Sequence, residues 1–313
     1  MIELESDLWL DQPDARARID ARVAHGEISD QDAARLHCFV ENGYIIVPGA
    51  FDDAFCDAFD ADIDTMWRER PADLAISPPG PELPISLRDY QGPPRPPGYR
   101  FPDLHGLSAA ARDLYLRPSL FSIVELIFDQ PAIAFQSLYF EYGSRQVLHR
   151  DSMFVPTTPA AHLVASWVAL EDVGPDCGPL EYVPGSQHLP WFEFEPGNIM
   201  CGHEVPQTRR AAHRAWLAQM MQDRGLESTT FTCKRGDAFI WHGGLLHGGS
   251  ALRDPSQTRR SFVVHYSTAA NYHGRQASFR VAKNGAFKMV SRRTEKIIER
   301  PGARGLASPL ADH

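Results

Sequence analysis

Cysteine, long apolar runs and surplus positive charge are all scarce in this 313-residue chain, and each scarcity removes a class of protein. Its five cysteines (Cys38, Cys56, Cys177, Cys201, Cys233) are an odd set with no CxxC pair. That excludes a disulfide framework or a zinc cluster and fits free thiols in a reducing, cytoplasmic compartment. The longest uncharged stretch, Ser152 to Leu170, carries Pro156, Thr157, Thr158, Pro159 and His162. A membrane helix needs a far more apolar run of about 20 residues, so no membrane partner is expected. The N-terminus, Met1-Ile-Glu-Leu-Glu-Ser-Asp7, is acidic and does not read as a signal peptide. Lys and Arg number 31 against 40 Asp and Glu, a net charge of −9. That balance argues against nucleic acid, whose binders draw affinity from cationic side chains.

What is present suffices for a sizeable core, with 43% hydrophobic residues and 23% charged, which excludes dominant disorder. The first seventy residues read as helical: Asp14 to Val23, then Asp30 to Glu41 behind an N-cap at Ser29, then Asp52 to Arg68. Gly43 stops the second helix, and Tyr44 to Val47 is a short strand. A segment from Pro78 to Pro102 holds nine of the 25 prolines and reads as an ordered surface loop rather than a linker. From Ala132 the pattern turns to strands: Ala132 to Tyr142, His162 to Val173, Leu180 to Val183, Thr229 to Cys233, Ala238 to Trp241 and Ser261 to Ser267. A helical insert from Gln207 to Arg224 interrupts them, and the basic tail beyond Ala282 reads as a surface helix with a loose end. Length alone suggests about two domains. The strand series favours one instead: a mainly β fold with flanking helices and a double-stranded β-helix (jelly-roll, cupin-like) core over about 130–270.

Chemistry concentrates at His149-Arg150-Asp151. In extended chain, residues two apart share a face, so His149 and Asp151 aim at one point while Arg150 turns away. A second histidine would complete the 2-His-1-carboxylate triad of non-haem Fe(II) sites, whose open positions receive O2 and a co-substrate. Downstream, Gly236-Asp237-Ala-Phe-Ile-Trp241-His242-Gly-Gly-Leu-Leu-His247-Gly-Gly-Ser250 offers two candidates, and pattern alone does not separate His242 from His247. Arg259 then opens an apolar strand, where a guanidinium suits a bidentate grip on a dicarboxylate. Period two puts Ser261 on the same face, so both would hold one carboxylate. Gln136, on the strand before the HxD loop, reads equally as a co-substrate contact or a cross-strand amide.

The order of these motifs resembles the phytanoyl-CoA dioxygenase family of Fe(II)/2-oxoglutarate-dependent oxygenases. HxD is followed by Gly178-Pro-Leu-Glu-Tyr-Val-Pro-Gly-Ser-Gln-His188, by Gly236-Asp237 with His-x4-His, and by Arg259. The opening Phe39-x3-Gly43-Tyr-Ile-Ile-Val-Pro-Gly49 matches as well. The resemblance implies iron held by His149, Asp151 and His247, with His242 a neighbour. It implies 2-oxoglutarate gripped at its far carboxylate by Arg259 and flanked by Trp167. The family's hydroxyl two residues past the distal histidine falls on Gly249 here, which leaves Ser250, one later, as the candidate. The implied reaction spends O2 and 2-oxoglutarate, releases succinate and CO2, and hydroxylates a small-molecule substrate. Asp151 occupies the place a halide would need, which disfavours halogenation. Desaturation, epoxidation or cyclisation, a metalloprotein without 2-oxoglutarate, and a non-catalytic jelly roll are the alternatives. Trp191, Phe192, Phe194, Leu217, Met220 and Met221 read as pocket wall or plain core, and Arg209, Arg210 and Arg214 as a solvated helix face ahead of a contact for an anionic substrate group. Oligomeric state is not visible in the sequence.

Overall fold

The computed structural model describes residues 8–78, 83–144, 146–202, 204–273, 277–281, 286–291 and 297–300. Its N-terminal helices form where caps and apolar spacing place them. Helix α1 spans Ala15–Ala24 and α2 Asp30–Asn42. The Ser29 side chain accepts from the Asp32 N–H, and Gly43 ends α2 in the left-handed region at φ 79°. Strand β1 (Tyr44–Val47) leads to α3 (Asp53–Glu69), which Asp52 caps through the Phe55 N–H. Short strands β2 (Ala75–Ile76), β3 (Ile85–Ser86) and β4 (Arg100–Pro102) tie down the described part of the proline-dense segment. Because β4 pairs with the edge of the main sheet, that segment is an ordered layer and not a linker.

Two further helices, α4 (Ala109–Tyr115) and α5 (Pro118–Phe128), follow where the sequence reading assigned none. Helix α5 opens on a proline at its first position and is apolar on nearly every side. Within it only Pro118, Ser119 and Ser122 are exposed, so the polar stripe that would betray the helix is confined to its first turns.

The remaining strands are β5 (Ala132–Phe140), β6 (Val164–Ala169), β7 (Leu180–Tyr182), β8 (Thr229–Phe231), β9 (Ala238–His242), β10 (His247–Gly249) and β11 (Ser261–Thr268). Helix α6 (Gln207–Asp223) interrupts them. The large sheet runs β1-β9-β6-β11-β5-β4 and the small one β10-β7-β8, every pair antiparallel. Alternation then sorts side chains between two cores. On β11, Phe262, Val264 and Tyr266 face the helical layer, where Phe59 of α3 meets Phe262 at 5.3 Å and Phe121 of α5 meets Tyr266 at 5.3 Å. Burial of each such ring is worth about 1.5–3 kcal/mol. The opposite face of the sheet packs Trp167, Phe239, Trp241 and Val263 against Leu180, Tyr182 and Phe231 of the small sheet. Two antiparallel sheets face to face, with helices covering one outer side, make an open jelly roll.

The tail beyond Ala282 departs from the expected surface helix. Among its described residues, β13 (Phe287–Ser291) and β14 (Ile297–Arg300) pair with each other, and β12 (Ala277–Val281) pairs with β13. Period two explains the difference: Lys288 and Glu299 are exposed and ion-paired at 3.1 Å, whereas Met289 and Ile298 are buried. The basic residues hid that alternation. The loose end expected to follow that helix falls on 301–313, outside the described residues.

Candidate metal centre

Two backbone hydrogen bonds bring the histidines together. His149 N–H donates to the His247 carbonyl at 2.9 Å, and His247 N–H returns one to His149 at 3.0 Å. Residues that exchange both bonds in an antiparallel pair carry side chains on the same face, and here the ring centroids lie 4.5 Å apart. Gly248 permits this contact, because a Cβ there would meet the Gln146 carbonyl at 2.6 Å. Arg150 is extended, so Asp151, at the start of a 3-10 turn, points the same way as His149. The Asp151 Oδ1 atom lies 3.6 Å from Nε2 of His149 and 3.5 Å from Nε2 of His247. One ligand atom from each of the three residues falls within 4.8 Å of the others.

The donor set suits a divalent transition metal. Each histidine commits its Nδ1 to a main-chain carbonyl, His149 to Val147 at 2.9 Å and His247 to Leu245 at 3.0 Å. That fixes the tautomer and leaves Nε2 with a free lone pair aimed at the common point. Burial raises the Asp151 carboxyl, but the pull of His247 and the contacts from His149 and His265 outweigh it and hold it well below its ordinary range. Burial, only partly offset by Asp151, pushes His247 down to about 4. In spite of burial, the Asp151 carboxylate raises His149, so the three groups share protons that an incoming metal ion would displace. Three protein ligands on one side leave the other side of an ion open.

His242 is not part of this group. As the residue after inward-facing Trp241 it points to the opposite side of β9, where Nε2 lies 3.2 Å from Asp11 Oδ2 and Nδ1 accepts from Gly244 N–H at 2.8 Å. Both ring nitrogens are used structurally. Arg150 turns away as expected and donates to the carbonyls of Ser186, Leu189 and Pro190 while stacking on Trp191, which pins the turn beside the site.

A cleft opens over the triad, lined among others by Leu138, Phe140, Gln146, Trp167, Trp241, Arg259 and His265. Arg259 is 2% exposed, donates to the Gly178 carbonyl at 3.1 Å and lies 5.7 Å over the Trp167 ring. Burial pulls its guanidinium down to about 10. Its Nε, Trp167 Nε1 and Ser261 Oγ are buried without a hydrogen-bond partner. Among the described residues no acidic side chain pairs with Arg259. A buried cation that meets a carbonyl and a ring face but, among the described residues, no carboxylate within ion-pair distance marks a place for an anionic ligand.

The other sequence candidates lie further off. Ser261 is buried on the inner face of β11 but does not line the cleft, and Ser250 donates to the Pro179 carbonyl at 2.9 Å. Gln136 stands opposite His265 on the same face, outside the lining. Trp191 and Phe194 pack with Met153, Ile199 and Cys201, while Leu217, Met220 and Met221 pack around Val183 and Leu246. These residues are core, not cleft wall. Arg209 and Arg210 bind main-chain carbonyls of the loop before α6 and so are not merely solvated. Two site residues escaped the sequence reading. Trp241 donates through Nε1 to Asp151 Oδ2 at 3.0 Å, and His265 Nε2 faces the same oxygen at 3.4 Å. The alternation that paired Arg259 with Ser261 continues through Val263 to His265, so the signal was present.

Known proteins share this pattern. A family model described as Phytanoyl-CoA dioxygenase (PhyH) matches residues 39–261. The peroxisomal phytanoyl-CoA dioxygenase of Bos taurus is 20% identical over 247 residues, 75% of this chain and 68% of that protein. A probable phytanoyl-CoA dioxygenase of Caenorhabditis elegans is 25% identical over 124 residues, 40% of this chain and only 36% of that protein. Among solved structures, the non-heme alpha ketoglutarate dependent carbocyclase SnoK from nogalamycin biosynthesis superposes with a TM-score of 0.58 at 18% identity, covering 79% of this chain and 87% of SnoK. EctD from S. alaskensis with bound Fe gives 0.57 at 19% identity, covering 78% of each chain. These two likenesses show a shared fold. With most of its length inside the family model, and HxD, the distal histidine and Arg259 all within the match, the chain belongs to the phytanoyl-CoA dioxygenase (PhyH) family.

Proposed function

We propose that this protein is an Fe(II)/2-oxoglutarate-dependent oxygenase that hydroxylates a C–H bond of a small-molecule substrate, with residues 1–313 acting as a single catalytic unit. The observation that carries the reading is a buried Arg259, with no acidic ion-pair partner among the described residues, in the same cleft as a His-Asp-His triad. In this reading His149, Asp151 and His247 hold the iron. When bound, Fe(II) supplies the redox chemistry that couples O2 to decarboxylation of 2-oxoglutarate, giving succinate and CO2. Arg259 neutralises the far carboxylate of 2-oxoglutarate, and the Trp167 ring beneath it closes one wall against water. Anchoring the far end fixes where the keto-acid end falls relative to the triad. The orphaned hydrogen-bonding atoms of Arg259 and Trp167, both on the cleft lining, are donors awaiting an acceptor, which a carboxylate provides. A solved EctD complex that contains 2-oxoglutarate and 5-hydroxyectoine has this fold, with a TM-score of 0.56 at 19% identity. That shared fold supports the assignment.

A panel of small metabolites assayed for succinate tests this reading. Succinate formation that needs Fe(II), O2 and Arg259, and rises with one substrate, is the expected result. A panel that yields no succinate under any condition contradicts it. The SnoK likeness keeps ring closure as a second reading, and product mass separates the two: hydroxylation adds one oxygen atom, cyclisation removes two hydrogens.

A further inference from the structure

Strand register arranges three inner-face residues in one row across the large sheet. His265 of β11 pairs with Ala165 of β6, and Ala165 pairs with Trp241 of β9. Paired residues on neighbouring antiparallel strands point to the same side, about 5 Å apart, so Trp241 and His265 stand roughly 10 Å apart with Ala165 between them. Two large rings flank a methyl group. The row is therefore a trough, and the Asp151 carboxylate reaches into it from the HxD turn.

The two oxygens of that carboxylate have different surroundings. Oδ1 faces the two histidines, 3.6 and 3.5 Å from their Nε2 atoms. Oδ2 faces the trough, accepting from Trp241 Nε1–H at 3.0 Å and lying 3.4 Å from His265 Nε2. His265 is 5% exposed, and its other nitrogen has no hydrogen-bond partner. Its polar contact is thus directed at Asp151 among the described residues. Trp241 needs no tautomer to donate, and its indole is held in the inner core against the rings of Phe239 and His247.

We propose that Trp241, Ala165 and His265 form a cradle that keeps Asp151 a one-oxygen ligand, with His265 its positioning residue. A carboxylate with both oxygens free can bind an ion through either or both, and the second bond occupies a position otherwise open to a co-substrate. Engaging Oδ2 from two sides presents Oδ1 alone to the metal. The cradle therefore sets coordination number, which governs how many positions a chelating co-substrate finds vacant. Ala165 is part of the device because any larger side chain would fill the trough and lift the carboxylate from its donors. His265 lies four residues past the end of the family match, so that match does not include it. The inference rests on the triad being a metal site and not on the identity of the co-substrate.

Co(II) is the probe, since its visible absorption reports coordination number without turnover. Native protein, His265→Phe, His265→Gln and Ala165→Val are loaded with Co(II) and titrated with 2-oxoglutarate, with thermal unfolding run alongside as a check on folding. In His265→Phe, Co(II) affinity should stay within a few-fold of native while the spectrum shifts toward higher coordination. Its 2-oxoglutarate affinity should fall at least roughly tenfold, the scale of outer-sphere substitutions in metal sites. His265→Gln, which keeps an N–H donor, should recover most of that loss. Ala165→Val should reproduce the spectral shift with His265 intact, and it carries the test if His265→Phe does not fold. An unchanged spectrum and unchanged 2-oxoglutarate affinity in folded His265→Phe or Ala165→Val would overturn the proposal. Equal loss of Co(II) by folded His265→Phe and His265→Gln would overturn it too, since His265 would then be a ligand. If native protein takes up Co(II) but ignores 2-oxoglutarate, the co-substrate assignment fails, while the variant spectra still decide the cradle. If native protein takes up no Co(II), the metal reading and the cradle fall together.

Discussion

Arg259 and His242 show how a side chain's partners determine what it is available to do. Both are buried, yet His242 spends each ring nitrogen on protein atoms, whereas Arg259 keeps most of its donors unspent. Replacing Arg259 by Ala should leave metal binding intact and weaken 2-oxoglutarate by about 2–5 kcal/mol, the cost of losing one member of a buried charge pair. Calorimetric titration of metal-loaded protein measures this. Arg259→Lys should rescue little, because an ammonium cannot reproduce the fork or lie flat on Trp167. The two histidines of the His-x4-His pair should separate cleanly. His247→Ala abolishes metal uptake, while His242→Ala keeps it, because both ring nitrogens of His242 are engaged away from the triad. Equal loss of metal in both variants would transfer the third ligand to His242. Sequence pattern alone did not separate these two; the parity of β9 does, since Trp241 inward requires His242 outward.

At the scale of elements, caps and strand alternation made most of the fold legible. Ser29, Gly43 and Asp52 stand at helix boundaries where their chemistry put them, and six predicted strands of the core are present, most of them shorter than expected. What stayed hidden had a common cause. Helix α5 keeps its polar residues to Ser119, Ser122 and Glu125, and in β13 and β14 buried Met289 and Ile298 sit beside the exposed Lys288–Glu299 ion pair, so neither displayed the pattern of its class. Helix α6 carries a pH signature. His213 on its buried face meets Phe192 at 5.3 Å and Phe194 at 5.2 Å, and burial, aided by Arg150 and Arg214, pushes it down to about 4. Between pH 6.5 and about 4 the unfolded chain therefore binds a proton at this site that the folded chain refuses. Stability contributed by neutral His213 is present above that window and lost as pH falls through it. Denaturant unfolding across this range should show a shallower acid decline in His213→Leu than in the native chain. Identical slopes would remove His213 from the account.

At the scale of the whole molecule, the metal-bearing face depends on parts far away in sequence. Gly236 adopts φ +85°, and a Cβ there would meet the Phe51 carbonyl at 2.0 Å, so the turn before β9 is closed against the N-terminal layer. Asp237 completes that join by accepting from Gly49 N–H at 2.8 Å. The Gly236-Asp237 motif thus positions β9, and with it Trp241, without touching the cleft. On the helical side, Arg300 of β14 donates to buried Glu125 of α5 at 2.6 and 3.2 Å and lies over the Phe121 ring. Removing Arg300 leaves a carboxylate buried without its charge partner, which costs about 3–5 kcal/mol. Arg300→Met should therefore unfold at markedly lower denaturant than native, and Glu125→Gln with Arg300→Met should recover part of the loss. A single variant as stable as the native chain would show that the C-terminal strands contribute nothing to the core.

The central claim is that His149, Asp151, His247 and Arg259 together hold iron and 2-oxoglutarate, and one anaerobic titration tests it most directly. Fe(II) followed by 2-oxoglutarate should produce the weak visible metal-to-ligand charge-transfer band of a chelated keto acid in native protein. His247→Ala should give no band, and Arg259→Ala should require far more 2-oxoglutarate to reach it. A native protein that binds Fe(II) yet shows no band at saturating 2-oxoglutarate, or an Arg259→Ala variant that saturates like native, would contradict the account.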